Sequence, residues 1–369
     1  MADTITLFLA GDVMTGRGID QILPHPGDPA LHEPYVQNAE RYVYLAEEAY
    51  GPVTQPVDFA YVWGDTLAEL DRMAPDLRIV NLETAVTVSD DWWRGKEVHY
   101  RMHPANAPCF TAARIDCCTL ANNHVLDWGY GGLAETLATL RATGIRCAGA
   151  GESRAEAEAP AVLEVAGKGR VLVFGCGTGT SGIPAEWGAR ENRPGVHLVE
   201  RLSAGEAERI GAMVRNAKQD RDIAVVSIHW GENWGYGIQQ DERDFAHRLI
   251  DAGVDLVHGH SSHHAKGIEV YRERLILYGC GDFLDDYEGI GGYEAFRGDL
   301  GLMYFPTLEL ATGRLVRLAM TPTRIRRLQV NRAGKKDGRW LQGILNREGE
   351  RLGTRVDMVD DDTLSLARG

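Results

Sequence analysis

Four histidines fall within seven residues in the run Asp255-Leu-Val-His258-Gly-His260-Ser-Ser-His263-His264. Neutral imidazole binds divalent metals and moves protons near neutral pH, so this density points to a metal centre or an acid–base site. A histidine-rich surface loop is the ordinary alternative for an isolated cluster. This cluster is not isolated. Asp12 follows the apolar run LFLAG, Glu83 follows IVNL, Asn123 and His124 follow TLAN, His229 follows VVSI, and Asp282 follows ILYGCG. One polar residue after a strand is usually a cap or a turn former. Six such ends, each with metal-compatible chemistry, are hard to explain as capping. Parallel strands in one sheet bring such ends together, so residues far apart in sequence converge on one ion.

The elements that must position these groups are legible as alternating patterns. Compact apolar runs at 4–11, 77–82, 116–121, 145–150, 171–177, 223–229 and 254–259 read as buried strands. Apolar residues at three- and four-residue spacing over 61–73, 132–143, 203–218 and 240–252 predict amphipathic helices. Hairpins are expected at 161–165 with 171–175, at 267–271 with 275–278, and at 302–310 with 315–322. Strand–helix alternation followed by antiparallel strands predicts an α/β fold of two packed sheets with helices outside, an α/β/β/α sandwich. No repeat or Pro/Ser-rich linker divides the chain. A single domain over 1–330 is expected, with a surface excursion at 24–56 and an accessory helix and polar tail at 331–369.

Composition narrows the function. The chain has 369 residues and a net charge of −14, which argues against nucleic acid or an anionic membrane as partner. No segment has the roughly 20 consecutive apolar residues of a membrane helix, and the N-terminus lacks a basic leader before its apolar stretch. The six cysteines show no C-x-x-C spacing and lie mostly in apolar runs, as in a reduced, cytoplasmic protein.

The blocks GDVMTGR, NLE, ANNHVLDWG, HWG and GHSSHHAKGIEVY resemble the signatures of the CapA/PgsA (poly-γ-glutamate synthesis protein) family, within the calcineurin-like metallophosphoesterase superfamily. The resemblance runs from about residue 5 to 310, in the family's block order. It implies the superfamily's four-layer α/β/β/α sandwich and a site assembled from those blocks. By resemblance, Asp12 matches the first metal-binding Asp, and Glu83 stands where phosphoesterases carry the bridging Asp. Asn123 and His124 match the Asn-His pair, His229 the next ligand, and His260 and His263 the last histidine block. Two departures matter. The usual Asp-x-His of the first block reads Asp12-Val13-Met14 here, and the bridging acid is one methylene longer. A two-metal site holds its ions about 3.5–4 Å apart, and losing a ligand while altering the bridge favours one ion instead. Oxygen-rich ligation favours Ca, Mg or Mn, while the histidines keep Zn open.

Histidines not bound to metal are free for proton transfer. His124 and His260 are the candidate acid–base imidazoles, oriented by Asp12, Asp127, Asp282, Asp285 or Asp286. Arg17 is a candidate clamp for a carboxylate or phosphate, with an exposed turn arginine as the alternative. Trp92, Trp93 and Arg101, with Trp230 divided between core and pocket, are candidates to wall a peptide cleft. The soluble, unanchored form also looks like CapA-like enzymes encoded with lasso peptides. That resemblance implies a metal-dependent isomerase, inverting the Cα of a precursor peptide's C-terminal residue by proton exchange. Hydrolysis of a phosphate ester or amide, and an accessory role in poly-γ-glutamate synthesis, are the competing readings. The absent membrane segment weighs against the accessory role, because the resemblance implies anchored polymer-export members.

Overall fold

Apolar runs buried on both faces become the strands of two large sheets in the computed structural model, which describes residues 3–360 and 363–367. The fold is mixed α/β. In the first sheet Thr4–Val13, Leu77–Leu82, Cys117–Thr119 and Arg146–Ala148 lie parallel in that order. Leu300–Glu309 and Leu315–Ile325 continue it antiparallel, and Asp282–Leu284 runs parallel beside the end of Thr4–Val13. In the second sheet Gly169–Thr178, Ile223–His229, Leu256–His260 and Arg274–Leu277 are parallel neighbours.

Alternate side chains of these strands face opposite ways, as strand geometry requires. Leu7, Leu9 and Ile79 of the first sheet share one apolar cluster with Val171, Val173, Val225 and Leu256 of the second. Phe8, Ala10, Val80 and Leu82 point instead to a cluster with residues of the helix Gly129–Ala142. Val226, Ile228 and Val257 face the helices Ala204–Ala217 and Gln240–Asp251. Each fully buried side chain of this size contributes roughly 1.5–3 kcal/mol. Two-faced burial explains why these strands read as unbroken apolar runs.

Three expected elements differ, the first being the strand expected over 145–150, which is divided into Arg146–Ala148 and Ala150–Gly151, paired in different sheets. The helix expected over 61–73 is split into a short turn at Tyr61–Trp63 and the helix Thr66–Met73. Gly64 sits between them at φ +43°, where a Cβ would meet the Val330 carbonyl oxygen at 2.5 Å. The polar tail expected after the accessory helix is partly strand. Beyond the helix Lys335–Gly349, Val356–Asp360 and Thr363–Leu366 pair with each other, and the latter pairs with Leu315–Ile325. Residues 1–2 of the 1–330 range and residues 361–362 and 368–369 of the 331–369 range lie outside the described residues. The 24–56 excursion carries the helix Glu40–Tyr50, whose Tyr42 and Ala46 are buried. Among the described residues no helix is long and apolar enough to cross a membrane. All six cysteines are free thiols.

Candidate metal centre and its cavity

The carboxyl ends of the parallel strands of both sheets meet at one place. Asp12 ends its strand beside Asn81 and Asp282, and His229 ends its strand beside His260. Close approach of the backbone makes this possible. A Cβ on Gly11 would collide with the Gly281 carbonyl oxygen, the same oxygen that accepts the Asp12 N–H at 3.1 Å. Ser261, directly after His260, holds φ +103°, a conformation unfavourable for a side-chain-bearing residue. That turn aims its N–H at Asp12 Oδ2, 3.1 Å away.

Two overlapping groups of donors result. Asp12, His229 and His260 offer ligand atoms within 4.8 Å of one another, as do Asp12, Glu83 and Asp282, and all five residues are buried. Asp12 is shared. No Lys or Arg ion pair reaches Asp12, Glu83 or Asp282 among the described residues, so buried acids must be answered by protons or by a cation. Burial pushes the Asp12 carboxyl up from 3.8 to about 7, with Asp282 adding to the effect and Asn81 opposing it. Glu83 is raised by burial and then by Asp12.

The imidazoles carry the complementary pattern. His258 Nε2 lies 2.9 Å from the Ala10 carbonyl oxygen, which can only accept, so this nitrogen donates. The Ser227 hydroxyl proton is shared between His258 Nδ1 at 3.0 Å and Thr119 Oγ1 at 3.2 Å, and Ser227 Oγ accepts from His260 Nε2 at 2.9 Å. This leaves a bare lone pair on His260 Nδ1, which lies 2.8 Å from His229 Nδ1 and 3.7 Å from Asp12 Oδ1. His229 Nε2 faces Asn123 Oδ1 at 2.9 Å and Glu83 Oε1 at 3.7 Å. Burial holds His229 and His260 well below the usual imidazole range, so each ring is neutral with one proton to offer. More lone pairs converge on His229 than one proton satisfies. The donor set therefore fits a divalent cation, with mixed oxygen and nitrogen ligands from Asp12, Glu83, Asn123, His229, His260 and Asp282.

His263 faces elsewhere. Its Nδ1 lies 2.9 Å and 3.0 Å from the two oxygens of Asp282, and Asp282 lifts its pKa against the effect of burial. His124 Nδ1 donates to Asp127 Oδ2 at 2.7 Å, and its Nε2 points to the Glu83 side, 3.9 Å from Oε1. Tyr100 stacks on the His124 ring at 3.8 Å and gives its backbone N–H to Asp127 at 2.7 Å. Lys96 Nζ bonds Asp127 and the Asn123 carbonyl. Burial keeps His124 well below the usual range, with Lys96 adding to it, and pushes Asp127 up to about 6 against the pull of Lys96. The result is a neutral imidazole, fixed in tautomer by Asp127, beside the carboxylate cluster.

A cavity of about 720 Å³ opens from this centre, lined at its base by Glu83, Asn123, His124 and His263. The residues expected to bind substrate are mostly elsewhere. Arg17 lines the cavity, but its guanidinium is committed to Asp286 and Glu33, both buried. Trp92 stacks on His32, and Trp93 packs edge-on against Tyr130 and Trp187. Arg101 pairs with Asp90 and lies over Trp128. Trp230 is a core residue, its indole N–H donated to the Tyr278 carbonyl at 2.9 Å. None of these four lines the cavity, whose wall is instead rich in tyrosine. Tyr35, Tyr42 and Tyr50 of the 24–56 excursion form part of it, with Tyr100, Tyr287, Trp234 and Tyr293. Sequence reasoning missed Lys96, Asn81, Ser227 and Tyr287. Ser227 alone had a local signal, lying two residues before His229 and so on the same strand face.

Comparison with known proteins identifies the chain's relatives. The sequence pattern of the family described as bacterial capsule synthesis protein PGA_cap matches residues 6–287. The probable polyglutamine synthesis accessory protein of Mycobacterium tuberculosis is 47% identical over 365 residues, covering 99% of this chain and 96% of that protein. The PGA biosynthesis protein CapA of Bacillus subtilis is 26% identical over 313 residues, covering 85% of this chain and 70% of that protein. Among solved structures, TT1561 of Thermus thermophilus aligns with a TM-score of 0.37 at 14% identity, over 85% of this chain and 97% of that one. The names of the sequence relatives correct three expectations: a peptide epimerase, an isomerase activity, and a lasso precursor peptide as partner. The precursor peptide came from resemblance alone, and no side chain of the site specifies it. From residue 6 to residue 287 the chain carries the family's pattern, and it belongs to the PGA_cap bacterial capsule synthesis protein family.

Proposed function

We propose that this protein is an accessory protein in the synthesis of a glutamine or glutamate polymer, acting through a divalent-cation centre at the meeting of its two sheets. The carrying observation is the pair of buried donor groups sharing Asp12 at the base of a 720 Å³ cavity. The relatives named for polyglutamine synthesis and PGA biosynthesis support the polymer. Its partners on this reading are the enzymes that build the polymer.

In the proposed centre, Asp12, Glu83, Asn123, His229, His260 and Asp282 hold the ion, and His263 steadies Asp282. A bound divalent cation supplies Lewis-acid polarisation of a carbonyl or carboxylate oxygen. Asp127 fixes His124 so that Nε2 can hold or accept a proton at the cavity base, and Lys96 and Tyr100 position Asp127. Oxygen donors outnumber nitrogens, which supports Mn, Mg or Ca ahead of Zn. The sheet pairing and the three apolar clusters support a calcineurin-like α/β/β/α sandwich, with 1–330 as its single domain and the C-terminal segment as an addition to it.

The test is complementation. A Mycobacterium strain lacking its 47%-identical relative, supplied with this chain, regains cell-associated glutamine/glutamate polymer, whereas the Asp12→Ala chain does not restore it. Failure of the unmodified, well-expressed chain to restore polymer overturns the reading.

A further inference from the structure

Resting on that reading, we infer that the cavity selects a chain bearing neutral carboxamides over one bearing free carboxylates, and that Asp285 takes an amide N–H from it. The cations lining the cavity are already answered by the protein's own acids. Arg17 pairs with Asp286 and Glu33, and Lys96 with Asp127. Arg297 and Arg324 both pair with Asp299 and Asp337. A polycarboxylate entering here finds the cation centre for one carboxylate and, among the described residues of the wall, no unpaired Lys or Arg for the next.

The acids of the same cavity are less fully answered. Glu288 accepts the backbone N–H groups of Arg327 and Leu328, and Glu294 accepts that of Gly292. Asp285 is 3% exposed, and its Oδ1 accepts the Tyr287 N–H at 2.8 Å. Its Oδ2 has no hydrogen-bond partner among the described residues. A buried acceptor without a donor is costly, and a ligand N–H removes that cost. A ligand carboxylate in the same place finds the Lys and Arg of the wall already paired, in a chain of net charge −14. Tyrosine walls suit the alkyl stem and amide head of a glutamine-type side chain, offering an apolar face and a polar rim. Arg324 Nε also lacks a hydrogen-bond partner, but it lies 3.0 Å from the Asp299 carboxylate, so the open Asp285 oxygen and the paired cations together favour donors on the ligand over further negative charge.

The experiment is titration calorimetry on the 369-residue chain loaded with Mn(II), near physiological salt. The probes are α-linked glutamine and glutamate pentapeptides, and γ-linked glutamate pentapeptides with their α-carboxyls amidated or free. In the linkage that binds, the amide-bearing peptide is expected to bind about tenfold or more tightly than its polycarboxylate counterpart. Asp285→Asn, checked for an unchanged melting profile, is expected to bring the two within about threefold, because its amide can donate to a carboxylate. Equal or tighter binding of the polycarboxylate overturns the inference and leaves the accessory reading standing. A preference unchanged in folded Asp285→Asn also overturns it. Binding of none of the peptides takes down the inference and the polymer reading together.

Discussion

The two sheets bring unlike chemistry to the edge where they meet. The first delivers oxygens, on Asp12, Asn81, Glu83 and Asp282; the second delivers nitrogens, on His229 and His260, with Ser227 and His258 behind them. Burial acts on both sides toward the uncharged form, raising Asp12 and Glu83 and lowering His229 and His260. His263 is the exception, because Asp282 sits against it. The oxygen side is answered incompletely by Asn81 and the Ser261 N–H, whereas the nitrogen relay ends on a main-chain carbonyl. The difference teaches that the fold gives the imidazoles their own hydrogen-bond partners, while Asp12 and Glu83 are left for the cation of the proposed centre.

The largest test of this contrast is Asp12→Ala, which removes the donor common to both groups. Divalent-ion affinity, measured by calorimetry and metal content, is expected to fall by more than about a hundredfold, past the range of outer-shell losses. Retained affinity within a few-fold would dissolve the shared centre. Next are the supports: Ser227→Ala on the nitrogen side and Asn81→Leu on the oxygen side. Each is expected to cost about ten- to a hundredfold in affinity. Matching losses keep the two sides equal partners, and a loss confined to one of them assigns the ion to that sheet.

The smallest effect is on pH dependence in the metal-free protein. Asp12 has its folded pKa raised from 3.8 to about 7, so its contribution is present below pH 3.8 and is lost as pH rises toward 7. His258 has its folded pKa lowered from 6.5 to about 4, so its contribution is present above 6.5 and is lost as pH falls toward 4. The two slopes oppose each other between pH 4 and 6.5. Asp12→Asn removes the acid slope, so its unfolding free energy is expected to climb with pH more steeply than the parent's, by about 1 kcal/mol per pH unit. Denaturant melts on both proteins check this, and parallel profiles would count against a neutral, buried Asp12.

The residues at the strand ends were legible in the sequence because a two-faced buried strand leaves an apolar run that stops at a polar residue. Asp12, Glu83, His229 and His260 announce themselves that way, and Leu77–Leu82 and Ile223–His229 match their expected bounds. The cavity wall was not legible. Tyr35 and Tyr287 meet only through chain folding over long separations, and Lys96 sits in a segment without periodicity. Trp230 misled because adjacency to His229 does not say which face a side chain takes; alternation turns it away, into the helix-facing core. Arg17 misled for a different reason: its type and position suggest a ligand clamp, but Glu33 and Asp286 lie 16 and 269 residues away and take up its charge.

That arginine ties two parts of the architecture with separate duties. The 24–56 excursion supplies tyrosines to the wall and none of the proposed ligands to the ion, and Glu33 and Tyr42 fasten it to Arg17. The excursion thus shapes what the cavity can admit while Val43, Ala46 and Val53 root it in the same core that backs the first sheet, and Tyr42 serves wall and fastening at once.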